Sequence, residues 1–156
     1  MKGQQGFTLI ELVVVIGVIG ILLAVVTLNF SRLNEKYSME TEIKDLYSIL
    51  MRTRDTARKI NTPQLVTIAA NAVQIGADAN QDGAFDAGAN ITTVNMGRFT
   101  LAPVGNFTFD RRGLASVTQT IQITGTGAIS PAMNCIDITG TRLNIGLMNG
   151  VNCDSK

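Results

Sequence analysis

Three groupings of side chains in this sequence have types and spacings that could do chemistry. The first is a lone carboxylate, Glu11, inside the apolar run FTLIELVVVIGVIGILLAVV from Phe7 to Val26. A carboxylate in apolar surroundings costs a few kcal/mol and is normally kept for a partner, so Glu11 calls for a cation. Were the chain cut between Gly6 and Phe7, the new α-amino group would lie four residues before Glu11 on the same helix face. The amine of a neighbouring copy would serve equally. Attraction at 4 Å and an effective dielectric of 20 is about 4 kcal/mol, enough to offset the burial and to set the register of packed helices. The second grouping is Asp78, Asn80, Asp82 and Asp86 in DANQDGAFD, acceptors at positions one, three, five and nine of a calcium loop with Gly83 at six. Position twelve is Ala89, where a bidentate Glu is expected. The same residues also read as a Gly/Asn/Asp hairpin loop, so calcium stays one of two readings. The third is Arg111, Arg112 and Arg142, the cations available to a phosphate backbone. No aromatic residue interleaves them, and a role in turns is the stronger reading.

Composition narrows the chemistry further. The chain has 156 residues, no His and no Trp, which removes the commonest general base and the Ser-His-Asp and Cys-His nucleophile systems. Thirteen Lys and Arg against twelve Asp and Glu leave a net charge of +1 and no broad field for nucleic acid or an anionic membrane surface. No nucleophile or acid pair stands out, so the reading is not an enzyme.

The elements that must position these residues follow from periodicity. The run from Phe7 to Val26 would make a helix about 30 Å long, the thickness of a bilayer's hydrocarbon core. Its leader, Met1 to Gly6, is short with one Lys2, and no A-x-A pattern follows, so the segment reads as retained rather than cleaved on its far side. After Asn29 the pattern turns amphipathic, with Leu33, Tyr37, Ile43, Leu46, Tyr47, Leu50 and Ala57 as the expected buried stripe. The helix should stop near Asn61-Thr62-Pro63. From Gln64 the period drops to two, through Val73 and Ile75, Val94 and Met96, Phe107 and Phe109, Ile121 and Ile123, Ile136 and Ile138, and Leu143, Ile145 and Leu147. The expected fold class is α+β: one long N-terminal helix, transmembrane in its first half and amphipathic in its second, packed on an antiparallel sheet or two packed sheets. The expected organisation is a leader over 1–6, a transmembrane helix over 7–30, which the resemblance described next would also make a filament core, a stem helix over 31–62 and a β-rich head over 63–156.

Gly6-Phe7-Thr8-Leu9-Ile10-Glu11, after a short charged leader and before an unbroken apolar helix, resembles the class III signal of type IV pilins and pseudopilins. The resemblance implies the pilin fold, cleavage after Gly6 by a prepilin peptidase, N-methylation of Phe7, and an assembly role for Glu11. It also implies a single-pass precursor in the bacterial inner membrane, its helix surrounded by lipid before assembly and its head in the periplasm. Its partners would be an assembly platform and other pilins or pseudopilins, in a periplasmic pseudopilus or an extracellular pilus. Many pilins carry proline where this chain has Leu28, so a bend would have to use Gly17, Gly20 or a loss of helicity in the filament. Outside the cytosol, Cys135 and Cys153, eighteen positions apart, read as a disulfide worth about 3 kcal/mol, against two free buried thiols.

The head is similar to GspH/FimT-type minor pilins over Ser38 to Ile60, over Phe109-Asp110-Arg111-Arg112-Gly113, and over Asn134 to Leu143. This implies a minor component in filament initiation or at the tip. A major filament pilin is the alternative, or a filament-borne DNA-binding or adhesive receptor contacting through the loops 78–90 and 125–134. Some FimT-type members bind DNA through a glycine-arginine pattern with two arginines, of which Gly140-Thr141-Arg142 keeps one, so nucleic acid is a disfavoured partner.

Overall fold

The computed structural model describes residues 6–125 and 130–155, with the backbone alone for 25–29. The expected leader, apart from Gly6, lies outside the described residues. The chain divides into two units, residues 1–35 and 36–156.

Helix α1 runs from Leu9 to Ile60. Its start is capped by Thr8, whose Oγ1 accepts from Glu11 N at 3.3 Å while its carbonyl takes the first helical bond from Leu12 N. At the other end, Asn61 adopts φ 54°, Thr62 N bonds back to the Ala57 carbonyl, and Pro63 cannot continue the helix. Arg58 and Lys59 in the last turn complement the helix dipole. Among the described residues no helix is long and apolar enough to cross a membrane. Side chains of the apolar run are described continuously from Leu9 to Ala24, which is about 24 Å of helix against about 30 Å of hydrocarbon.

The second unit is the α+β arrangement expected. Its strands are β1 (Gln64–Ile68), β2 (Ala72–Ala77), β3 (Thr92–Asn95), β4 (Thr100–Ala102), β5 (Gly105–Phe109), β6 (Gln119–Thr124), β7 (Cys135–Ile138), β8 (Leu143–Asn149) and β9 (Asn152–Ser155). They form two antiparallel sheets, ordered β3-β2-β1-β5 and β4-β6-β7-β8-β9. Register is clear in the first: Gln64 pairs with Ala77 on one side and Phe109 on the other, so the C-terminal ends of β2 and β5 meet where α1 hands the chain to β1.

The core joins one helix face to both sheets. Met39, Ile43, Leu46, Leu50 and Ala57 of α1 pack with Val66, Val73, Phe99, Phe107, Phe109, Ile121, Ile123, Ile136 and Ile138. Phe107 and Phe109, two residues apart and so on one face of β5, meet edge-to-face at 5.3 Å. The expected stripe needs correction at its start. Leu33 and Tyr37 are 48% and 57% exposed, and burial along the helix begins at Met39. Three-and-four spacing identifies a face, but only the reach of the strands decides how far it is covered.

Candidate functional site

The N-terminal residues form the first candidate. Gly6, Phe7 and Thr8 precede the helix and are exposed, so the peptide between Gly6 and Phe7 lies in non-helical backbone. One and two turns on, Glu11, Leu12, Val15 and Ile16 share with Phe7 a shallow groove of about 280 Å³. The carboxylate of Glu11 therefore borders an apolar groove beside the residue whose amine cleavage would release. Every large apolar side chain described from Leu9 to Leu23 is about half exposed or more, for instance Leu9 at 82% and Leu23 at 60%. Such a continuous apolar surface is incompatible with water and needs lipid or other helices around it.

The 78–86 loop brings Asp78, Asn80, Asp82 and Asp86 together, as their spacing suggested, but turns their oxygens onto backbone amides. Asp78 is fully buried and accepts from Asp82 N at 3.1 Å and Gly83 N at 3.2 Å. Asp86 Oδ2 accepts from Ala79 N, Asp82 Oδ1 from Ala84 N, and Asp82 Oδ2 from Asn80 Nδ2. The loop folds back on its own sheet, so that Phe85 and Ile91 cover the bare backbone of Gly76 in β2. Among the described residues no group of three or more His, Cys, Asp or Glu is placed to hold a metal ion.

Arg111, Arg112 and Arg142 sit on two neighbouring turns, and two residues outside the sequence-based set hold those turns together. Arg54 of α1 donates from Nε to the Gly113 carbonyl at 2.9 Å and from Nη2 to the Thr141 carbonyl at 2.8 Å. Arg58, one turn on, donates from Nε to the Arg112 carbonyl at 2.7 Å. Asp110 Oδ1 accepts from Arg112 N and Leu114 N, and Thr139 Oγ1 from Arg142 N. The two helix arginines flank the fully buried Ala57, and arginine at i and i+4 beside a small core residue is the signal that could have revealed them.

Two acidic side chains of α1 were also missed. Glu40, only 9% exposed, accepts from Ala132 N at 2.7 Å and so ties the helix to the segment before β7. Of the 125–134 loop itself, residues 126–129 lie outside the described residues. Glu42 lies against the Gly97 turn with its Oε2 buried and unbonded. Burial raises its pKa from the ordinary 4.5, Arg98 opposes the rise and Asp45 reinforces it.

Cys135 and Cys153 are joined as a disulfide, with their Cα atoms 5.9 Å apart. Cys135 lies on β7 and Cys153 on the edge strand β9, so the bond passes over β8, where Gly146 pairs with Cys135. A Cβ on Gly146 would run into the Asp154 carbonyl and approach Cys153 Sγ at 3.1 Å. A separate cleft of about 400 Å³ lies between α1 and the β2–β3 side of the first sheet. Arg52 is the one charged side chain lining it, and no nucleophile and base converge there.

Residues 1–27 match the family model of the prokaryotic N-terminal methylation motif. Neither the curated proteins nor the solved structures include a match to the chain. The match supports a type IV pilin-like protein. It implies membrane-anchored assembly with other pilins after prepilin peptidase processing and methylation, and it suggests a structural subunit.

Proposed function

We propose that this chain is a structural subunit of a type IV pilus or a type II secretion pseudopilus. It is made as an inner-membrane precursor, cut between Gly6 and Phe7, methylated on Phe7, and recruited through Glu11. The observation that carries the reading is the apolar, exposed start of α1, which lies within the matched methylation motif. That surface is first covered by lipid and then by sister helices, so the same area is buried in both states and little net hydrophobic free energy opposes extraction. Glu11 selects register by meeting the amine of a neighbour. The head, stapled by its disulfide, stays outside the filament core.

The test is Glu11→Leu in the full chain, expressed with its peptidase and filament machinery. Processing and membrane insertion should persist while incorporation stops; normal filament entry would refute the pairing. Mass spectrometry should find the mature chain beginning at methylated Phe7. The finer assignment, a minor GspH/FimT-like component in initiation or at the tip, draws on the motif resemblance. Traces in purified filaments support it, and many copies make this a major subunit. Calcium binding at Asp78, Asn80, Asp82 and Asp86 belongs to the reading as an accessory. It requires side-chain oxygens to take up a cation beside the amides they already hold.

A further inference from the structure

We propose that the arginine face at the end of α1 is a contact between heads, and that its occupant is the 78–86 loop of a second copy of this chain. The proposal rests on the filament reading, and two adjacent copies suffice for it. Arg54 spans two turns and Arg58 holds one of them, so Arg111, Arg112 and Arg142 are exposed cations on fixed backbone. Among the described residues the ion pairs are Lys36 with Glu40 and Arg58 with Asp55, which leaves those three arginines without a carboxylate. Like charges held close together raise a local potential that an opposite charge relieves.

The same molecule supplies that charge. Asp82 is exposed and Asp86 half-buried on a loop held by its own caps, and among the described residues no cation pairs with either. A net charge of +1 thus conceals clusters of opposite sign that no ion pair joins within the described chain and that are complementary between two copies. Contact between different patches is heterologous, and when repeated without closure it generates a helical filament. Nucleic acid fits less well. The neighbouring rings of Phe107 and Phe109 are buried, so no base could stack beside these arginines.

The experiment uses the full chain in assembled filaments. Arg111→Glu with Arg112→Glu should lower incorporation about tenfold, as expected for loss of roughly 1.4 kcal/mol of interfacial charge pairing. Ala79→Lys with Ala84→Lys offsets two of the loop's three negative charges while leaving every carboxylate cap in place, and should do the same. Co-expression of the two altered chains should restore entry. Arg112→Cys with Asp82→Cys in one chain should give an oxidation ladder of dimers and higher multimers, absent from either single variant. Wild-type incorporation by the glutamate variant with no ladder would overturn the proposal while leaving the filament reading intact. DNA retardation by the wild-type chain that the glutamate variant loses, with normal incorporation, would reassign the face to nucleic acid. A wild-type chain that is processed yet never enters filaments would remove both readings.

Discussion

At the scale of single residues, two positions carry tests that depend on geometry rather than type. Gly113 has φ 72°, and a Cβ there would press into Arg58 Nε and lie 3.0 Å from Arg54 Cγ. Gly113→Ala therefore meets both a strained backbone and the two arginines that hold the turns. A loss of about 2 kcal/mol in urea unfolding of the detergent-held chain is expected, and no loss would contradict the packing. Glu42 makes a prediction in pH. Its folded pKa lies above the ordinary 4.5, so its stabilising share is full below that value and disappears as pH rises through the raised one. Ionised Glu42 thus burdens the fold at neutral pH. Glu42→Gln should raise the melting temperature at pH 7 and lose that advantage as the pH approaches 4. Asp45 and Arg98, the charged groups that act on it, set the sign of any residual difference.

At the scale of elements, the disulfide and the aspartate loop each hold an exposed segment to a sheet. β9 is an edge strand with polar, mostly exposed residues, and its attachment depends on Cys153. Cys153→Ala should cost about 3 kcal/mol by the loop-entropy model and should release hydrogen-exchange protection in 152–155 while β1 stays protected. In the loop, Asp78→Ala leaves the amides of Asp82 and Gly83 without their buried acceptor, a cost of about 2 kcal/mol. Melting in calcium against chelator tests the accessory site. A rise in melting temperature abolished by Asp82→Ala supports it, and an unchanged temperature leaves a self-capped turn.

At the scale of the whole molecule, the apolar start of α1 and its single acid have separable roles. Ile16→Arg with Ile19→Arg should cost about 3 kcal/mol per arginine at mid-span and abolish membrane retention together with assembly. Glu11→Leu should abolish assembly alone. Fractionation of membranes and filaments from the two variants decides this, and identical behaviour would remove the distinction.

Much of this was legible from the chain itself, because the signals are local. The N-terminal motif, the stop at Asn61 to Pro63, the α+β class, the Cys135–Cys153 pair and most strands follow from residue types at fixed spacing. β1 escaped because four of its five residues are buried, which erases alternation, β4 because TLA is three residues long, and β9 because NCDS carries no apolar stripe. Tertiary structure alone decided that Leu33 and Tyr37 remain exposed, that the aspartates of the loop face backbone amides, and that Arg54 and Arg58 join turns more than fifty residues away. The physical reason is range. Caps, periods and cleavage motifs act over a few residues, whereas the cover over a helix face and the partner of a long guanidinium depend on where distant strands end.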